Sequence, residues 1–93
     1  MKIYQARSFA KKVKKFRKKE KETLNNEIKN IIQNPWVGSE KKGYLRGIFV
    51  HKFKIQKILY LLAYRLMGED IELIMIGPHE NYYRDLKLYL KQR

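Results

Sequence analysis

The segment from Ile71 to Leu86 carries the residue types best suited to chemistry in this chain. An apolar run ends at Gly77-Pro78, and His79 follows beside a carboxylate, two phenols and a guanidinium. Loops that follow strands are where a rigid scaffold often presents functional groups. A histidine at this corner can act as a general acid or base, because its pKa lies near neutrality. It can equally cap the loop or the next helix by hydrogen bonding, and both interpretations stay open at this point.

Three cations on two predicted strands offer a second kind of chemistry. Lys52 and Lys54 are two residues apart on a strand, so their side chains point to the same face of a sheet. Arg65 lies on the neighbouring predicted strand, within reach of that face. Such a patch would hold a phosphate and stabilise the negative charge that develops on it during cleavage. The alternative is a set of ordinary lysines on an exposed sheet face.

Aromatic and basic segments elsewhere are typical of nucleic-acid contact. Tyr82 and Tyr83 are consecutive, so on a helix they point about 100° apart, and we expect one to pack and the other to be free for stacking on a base. The run from Lys11 to Lys21 contains eight Lys/Arg in eleven residues. It is either a solvated helix face or a surface that tracks phosphates, whose binding would fall steeply with salt.

Several common chemistries lack their parts in this sequence. There is no Gly-rich phosphate loop and no pair of histidines at metal-binding spacing. The nine acidic residues are scattered, whereas a metal-dependent nuclease needs clustered carboxylates. The absence of cysteine excludes disulfides, thiolate metal sites and a cysteine nucleophile. An enzyme built on this chain is therefore expected to use neither a metal nor a cofactor.

Composition bounds the partners and the location. The 93 residues predict a single domain over residues 1–93, and 44% hydrophobic residues are enough for one core. The formal net charge of +13 indicates a polyanionic partner: RNA, DNA, an anionic membrane surface or an acidic protein. The longest apolar run, Ile58–Ala63, is far short of the roughly 20 residues that span a bilayer. No apolar signal-peptide core follows Met1, so we expect a cytoplasmic protein.

The first third of the chain predicts two helices after a short edge strand at Met1–Tyr4. Ser8 is expected to cap the first helix, whose narrow apolar stripe recurs at i, i+4 and i+7 through Phe9, Val13 and Phe16. The stripe loses phase at Lys19–Glu22, where we place a tight turn. The second helix then runs from Thr23 to Asn34-Pro35, since proline disfavours the α conformation in the residue before it. Its predicted apolar face consists of Leu24, Ile28, Ile31 and Ile32.

The rest of the chain predicts a sheet and one more helix. A loop follows the second helix, and Trp36 in it is expected to fold back as a lid on the core. The three predicted strands are Tyr44–Ile55, Ile58–Leu66 and Ile71–Ile76, and the middle one is almost wholly apolar, which is typical of a strand covered on both faces. Asn81 is expected to cap a last helix that runs to about Lys91. The predicted fold class is α+β, with an N-terminal αα-hairpin packed on a small twisted antiparallel sheet of three to four strands and a C-terminal helix.

This order of elements, together with four short segments, resembles the RelE/ParE superfamily of bacterial type II toxin–antitoxin toxins. The segments are Asn34-Pro35, Leu45-Arg46-Gly47, Leu62-Ala63-Tyr64-Arg65 and Gly77-Pro78-His79-Glu80-Asn81-Tyr82-Tyr83. The segment that contains His79 is similar to the Gly-x-His-x-x-x-aromatic ending of the YafQ branch. In this superfamily the RelE and YafQ branches cleave mRNA, usually in the ribosomal A site, and the ParE branch inhibits DNA gyrase. Both kinds are neutralised by a cognate acidic antitoxin.

The resemblance implies a toxin that cleaves mRNA on the ribosome without a metal and so inhibits growth. The catalytic residues it suggests are His79, Tyr83, Arg65, Lys52 and Lys54. His79 would donate a proton to the leaving 5′-oxygen, the sheet cations would stabilise the phosphate charge, and Tyr83 would stack on a base. The residues expected to bind RNA are Arg46, Lys11, Lys14, Lys15, Lys18, Tyr82 and Arg84. Two alternatives remain open: a non-enzymatic gyrase inhibitor, and a basic nucleic-acid-binding module without toxicity.

Overall fold

A five-stranded sheet carries helices on both of its faces. The computed structural model describes residues 1–93 and places the strands in the order β1-β5-β4-β3-β2. The elements in chain order are β1 Ile3–Gln5, α1 Arg7–Val13, α2 Lys18–Gln33, β2 Ser39–Glu40, β3 Ile48–Ile55, β4 Ile58–Met67, β5 Asp70–Pro78 and α3 Tyr82–Lys91. All neighbouring strands are antiparallel except β1, which runs parallel to β5. The α+β prediction is confirmed, but the sheet has five strands where three to four were predicted, and the parallel edge strand β1 makes it mixed where an antiparallel sheet was predicted.

The core is divided between the two faces of the sheet by strand alternation. On one face, Phe53 and Leu62 pack with Phe9 of α1 and with Leu24 of α2. On the other face, apolar residues of the strands pack with Tyr82 and Leu86 of α3; those of β3 to β5 are Ile48, Val50, Leu61, Ala63 and Ile74. Four consecutive residues of β4, Leu61–Tyr64, are completely buried because both faces are covered. The prediction of a central apolar strand is therefore confirmed.

The boundary between the first two helices differs from the prediction. The α1 helix ends at Val13 and α2 begins at Lys18, so the turn lies before Lys19–Glu22 and the second helix starts earlier than Thr23. The carboxylate of Glu20 accepts a hydrogen bond of 2.7 Å from the backbone N–H of Arg17, which satisfies an orphan donor and fixes the start of α2 there.

Two details of the first helix follow from this earlier turn. Phe16 lies in the turn but stays buried, edge-on to Tyr60 with 5.7 Å between ring centroids, so it prolongs the apolar stripe beyond α1. The capping prediction for Ser8 is wrong, because Ala6 occupies the N-cap position and Ser8 lies inside the helix.

The loop after α2 is anchored by Tyr64 and not by Trp36. Trp36 is 68% exposed and meets the Phe49 ring in a T-shaped contact, so the lid prediction is wrong. The buried hydroxyl of Tyr64 donates a 2.7 Å hydrogen bond to the carbonyl of Pro35 and accepts one of 3.0 Å from the N–H of Gly38. A Cβ at Gly38 would lie 2.7 Å from the Tyr64 oxygen, so this close approach requires glycine.

The remaining boundaries shift by a few residues. The strand predicted from Tyr44 begins only at Ile48, because a 3₁₀ turn occupies Gly43–Leu45. The hairpin corner at Gln56-Lys57 is confirmed, and both residues adopt positive φ, as a two-residue primed turn requires.

The last helix begins where it was predicted, but its start is not capped as expected. Asn81 directly precedes α3 in a left-handed conformation and makes no capping hydrogen bond, so its predicted capping role is wrong. None of the three helices has the length and apolarity needed to cross a membrane.

Candidate active site

Strand pairing brings His79, Lys54 and Lys52 to one end of the sheet. His79 follows the last residue of β5, and its backbone N–H donates a hydrogen bond of 3.2 Å to the carbonyl of Leu59. Leu59 pairs on its other side with Lys54, so the main chains of His79 and Lys54 lie about two strand spacings, roughly 10 Å, apart. Lys52, two residues back on β3, projects to the same face as Lys54. All three side chains are exposed at this end.

One of the two consecutive tyrosines packs in the core and the other stays accessible, as the sequence predicted. Tyr82 is buried, and its hydroxyl donates a 2.7 Å hydrogen bond to the carbonyl of Met75. Burial raises the pKa of Tyr82 far above its ordinary value, so the phenol stays neutral. Tyr83 is only partly buried and meets Tyr82 at a right angle. The structure therefore leaves Tyr83 for contact with a ligand, whereas Tyr82, predicted to bind RNA, supports the corner from the core.

A cavity of about 420 Å³ adjoins Lys52 and Tyr83 on the α3 side of the sheet. We call it the lysine cavity, and the charged and aromatic side chains that line it are Lys41, Lys42, Tyr44, Lys52, Tyr83 and Lys87. No carboxylate lines it. The ammonium group of Lys41 lies 5.3 Å from the centre of the Tyr83 ring, within the range of a cation–π contact. The cavity therefore combines four cations with two aromatic rings.

Sequence reasoning missed Lys41, Lys42, Tyr44 and Lys87. The first three come from the loop and the 3₁₀ turn before β3, where the chain has no periodic pattern. Lys87 lies on α3, on the far side of the cavity. The one available signal was local: two adjacent lysines followed at once by Gly43 and an aromatic residue.

Arg65 is not brought to this group. It lies opposite Ile48 in the register, four residues along β4 from the partner of Lys52, which is roughly 13 Å along the strand. Its Nε donates a 2.8 Å hydrogen bond to Glu72, and Arg93 donates two more to the same carboxylate. Burial alone would raise the pKa of Glu72, but Arg93 and Arg65 together hold it below the usual range. Arg65 is thus part of an ion-pair network at the other end of the sheet.

The other predicted RNA-binding cations lie on several different elements. Arg46 is exposed directly after the 3₁₀ turn, and Arg84 is exposed on α3 with a 3.5 Å contact to Asp85. Lys14 lies in the turn between the helices, and Lys18 begins α2.

A second cavity, of about 430 Å³, collects basic residues of the first helix. We call it the α1 cavity; it lies between α1, the end of β5 and the start of α3. Its basic residues are Arg7, Lys11, Lys12 and Lys15, and they face Glu80 and Asp85. The two predicted RNA-binding residues Lys11 and Lys15 therefore lie in a cavity of mixed charge, unlike the lysine cavity.

The second histidine has a structural environment. Nε2 of His51 lies 2.7 Å from Glu27 on α2, both side chains are mostly buried, and the imidazole stacks on Phe53. This confirms the expectation of a satisfied residue on the apolar side of β3. No three His, Cys, Asp or Glu side chains lie close enough together to hold a metal ion.

Solved structures with a similar fold include bacterial toxins. The YoeB/ParE toxin from Agrobacterium tumefaciens is 22% identical, with a TM-score of 0.68 over 85% of this chain and 99% of that one. A chain of the intact E. coli RelBE toxin–antitoxin complex is 19% identical, with a TM-score of 0.66 over 84% and 95%. The isolated E. coli RelE toxin is 18% identical, with a TM-score of 0.64 over 94% and 96%. At these identities the likeness defines a RelE-like fold.

A family profile identifies the chain more closely. The profile of the ParE-like toxin of type II bacterial toxin–antitoxin systems matches residues 3–87. The chain therefore belongs to this family, within the RelE/ParE superfamily of toxins. No curated protein sequence matches it significantly.

Proposed function

We propose that this toxin is a ribosome-dependent mRNA endoribonuclease that needs no metal. The observation that supports this most is the grouping of His79, Lys54 and Lys52 at one end of the sheet, beside Tyr83 and a cavity without carboxylates. A proton-transfer group, cations for a phosphate and an aromatic ring for a base are the parts that RNA cleavage requires.

The chemistry uses the nucleophile that RNA carries. Loss of the 2′-hydroxyl proton allows that oxygen to bond to the adjacent phosphorus, and the bond from phosphorus to the 5′-oxygen breaks. His79 donates a proton to the departing 5′-oxygen, which leaves a 2′,3′-cyclic phosphate and a free 5′-hydroxyl. Lys54 and Lys52 stabilise the added negative charge, and Tyr83 positions a base. The base that accepts the 2′ proton is not among these four residues; the carboxylate of Glu80, which is exposed directly after His79, is the candidate.

Replacement of the two histidines tests the proposal. Cleavage of a programmed ribosome's mRNA is measured by primer extension for His79→Ala and for the matched control His51→Gln, which can keep a hydrogen bond to Glu27. We expect the first variant to lose about 10²-fold or more in rate, as is typical for a general acid, and the second to stay within a few-fold of wild type. Wild-type cleavage by His79→Ala would refute the assignment.

A second pair of variants distinguishes the roles of Lys54 and Arg65, which lie on neighbouring strands. Lys54→Ala is expected to slow cleavage about 10²-fold, since it removes a cation from the developing phosphate charge. Arg65→Ala is expected to lower stability through its partner Glu72 while the rate per folded molecule stays near wild type. The reverse pattern would mean that Arg65, as the superfamily resemblance suggests, acts in catalysis.

Inhibition of DNA gyrase is the second candidate function, because the matching profile is that of a ParE-like toxin. Such an inhibitor would act by protein contact, so neither His79 nor the lysines of the sheet would be needed. Purified toxin is assayed in parallel for gyrase supercoiling and for ribosome-dependent cleavage. Loss of supercoiling without mRNA cleavage would replace the first proposal by the second.

We further propose an acidic antitoxin as the protein partner. The net charge of +13 favours such a partner, and a chain with the same fold was solved in the RelBE toxin–antitoxin complex. The basic wall of the α1 cavity, formed by Arg7, Lys11 and Lys15, is a suitable place for acidic side chains. Co-expression with the product of the neighbouring reading frame tests this: growth should recover. That product, once immobilised, should retain an Arg7→Ala/Lys11→Ala toxin less well than the wild type at raised salt.

A further inference from the structure

The lysine cavity has the composition of a binding site for more than the cleaved phosphate. None of its lysines takes part in an ion pair of the structure. Its volume of about 420 Å³ falls within the range of about 300–1,000 Å³ that is usual for ligand sites. Only Lys52 and Tyr83 belong to the proposed catalytic group, so the other lining residues have no role in the function proposed above.

We propose that the lysine cavity is a subsite for single-stranded RNA next to the cleaved bond, in which Lys41 and Lys87 bind a flanking phosphate and Tyr44 stacks on a base. This inference rests on the proposed endoribonuclease function and extends it to residues outside the cleavage site. Lys52 connects the two, because it lines the cavity and lies two residues from Lys54 on the same face of β3.

Electrostatics favours an anion in this cavity. Four lysines line a single cavity of about 420 Å³ with no carboxylate among them, so their like charges repel one another. A phosphate placed among them replaces this repulsion by attraction. It also releases the counterions condensed on the RNA, which makes the binding dependent on salt.

The aromatic rings favour a nucleic acid over an acidic peptide. Tyr44 is 65% exposed, so most of its ring is open to solvent. The ammonium group of Lys91 lies over one face of this ring, 5.4 Å from its centre, which leaves the other face for a base. In single-stranded RNA, bases that can stack on aromatic rings alternate with phosphates that can bind lysines. An acidic peptide offers carboxylates to the lysines but no bases to the rings.

Binding is measured separately from cleavage. The probe is a fluorescein-labelled single-stranded RNA octamer, and its anisotropy is followed at several salt concentrations in the His79→Ala background. Lys41→Ala/Lys87→Ala is compared with Lys2→Ala/Lys29→Ala, a control pair of exposed lysines outside the cavity that removes the same charge. Thermal melts establish that both double variants fold, which we expect since all four side chains lie at the surface.

The three kinds of variant have different expected signatures. Lys41→Ala/Lys87→Ala should weaken binding at least tenfold and lower the slope of log K against log salt by about 0.7 for each phosphate that the variant no longer neutralises. The control pair should change neither by a comparable amount. Tyr44→Ala should weaken binding about 5- to 150-fold, in line with the stacking contribution of one base, with little change in the salt slope.

Two results would overturn the subsite. The first is equal RNA affinity for the cavity pair and the control pair. The second is displacement of the RNA by polyglutamate of matched charge together with indifference to Tyr44→Ala, which would make the cavity a site for an acidic protein. Neither depends on cleavage: if His79→Ala cleaved mRNA normally while the cavity variants lost RNA binding, the catalytic assignment would fail and the subsite would stand.

Discussion

The hydroxyl of Tyr64 offers the sharpest test of how the loop before the lysine cavity is held. Tyr64 is completely buried, and its hydroxyl bridges the backbone of the loop at Pro35 and Gly38. Tyr64→Phe removes one oxygen atom and leaves the ring in place, where it stacks on Phe49 with 5.6 Å between centroids. The change therefore removes the two hydrogen bonds and leaves the apolar packing of the ring unchanged.

The expected cost follows from the exposure of the two partners. Gly38 is buried, so its N–H loses its hydrogen-bond acceptor in a place that water does not readily reach, which costs about 1–3 kcal/mol. The carbonyl of Pro35 belongs to a half-buried residue, and water can replace the lost bond there at little cost. We therefore expect a loss of about 1–3 kcal/mol in the free energy of unfolding, or about 4–24 °C in Tm for a chain of this size.

Urea unfolding followed by far-UV circular dichroism measures this loss. Tyr4→Phe is the matched control, because Tyr4 is 44% exposed and its hydroxyl makes no hydrogen bond. We expect the control to stay within about 0.5 kcal/mol of wild type. The amide of Gly38 should also exchange with solvent faster in Tyr64→Phe. Equal stability of the two variants would mean that the hydroxyl does not anchor the loop.

Three further predictions concern single positions. Gly38→Ala should destabilise by about 1–3 kcal/mol in the same urea assay, because its Cβ would lie 2.7 Å from the Tyr64 oxygen; wild-type stability would show that the loop yields easily. Glu72→Gln should cost about 1–2 kcal/mol near neutral pH, and, because the pKa of Glu72 is lowered in the fold, that cost should be full above the ordinary value of 4.5 and shrink as the pH falls below it. A cost that did not change with pH would exclude the charge as its origin. Lys57→Gly should stabilise by about 0.5–1 kcal/mol, since φ of Lys57 is +75° and glycine relieves that strain. Thermal melts compare it with Lys54→Gly, a control in a strand, and an unchanged or lower Tm for Lys57→Gly would contradict the prediction.

The central strand and the corner at His79 could be predicted because their signals are local. An unbroken apolar run means burial on both faces wherever it occurs, and β4 has that burial. The stop at Gly77-Pro78 likewise marks the end of β5 without knowledge of its neighbours. Helical geometry alone also predicts that only one of Tyr82 and Tyr83 packs in the core.

The helix boundary was missed because two arrangements produce the same pattern. A helix that continued through Phe16 and a helix that stops at Val13 before a turn both place apolar residues at positions 9, 13 and 16. The deciding interaction is the hydrogen bond from the N–H of Arg17 to Glu20, which marks the start of a new helix. The polar run that we interpreted as a turn contains that signal, but its net charge and lack of apolar residues concealed it.

The lysine cavity could not be predicted because it depends on which segments meet. Lys41 and Tyr44 come from an irregular segment, Lys52 from a strand and Lys87 from a helix, and nothing in their spacing relates them. The same holds for Arg65, whose pairing with Glu72 depends on the cross-strand register. The sequence shows which cations are present but not which side chains surround them. Those surroundings distinguish the lysines of the cavity from Arg65.

The placement of carboxylates distinguishes the cations that hold the fold from those available to a ligand. Glu72 pairs with Arg65 and Arg93, and Asp85 lies against Arg84, whereas no ion pair reaches Lys52 or the other lysines of the cavity. A cation already paired in the fold exchanges one anion for another when RNA binds, so it contributes little to counterion release. An unpaired lysine contributes in full, and it also relieves a repulsion that the folded chain otherwise bears. The salt dependence of RNA binding should therefore come from unpaired lysines such as those of the lysine cavity, and Arg65→Ala should leave it unchanged while lowering stability.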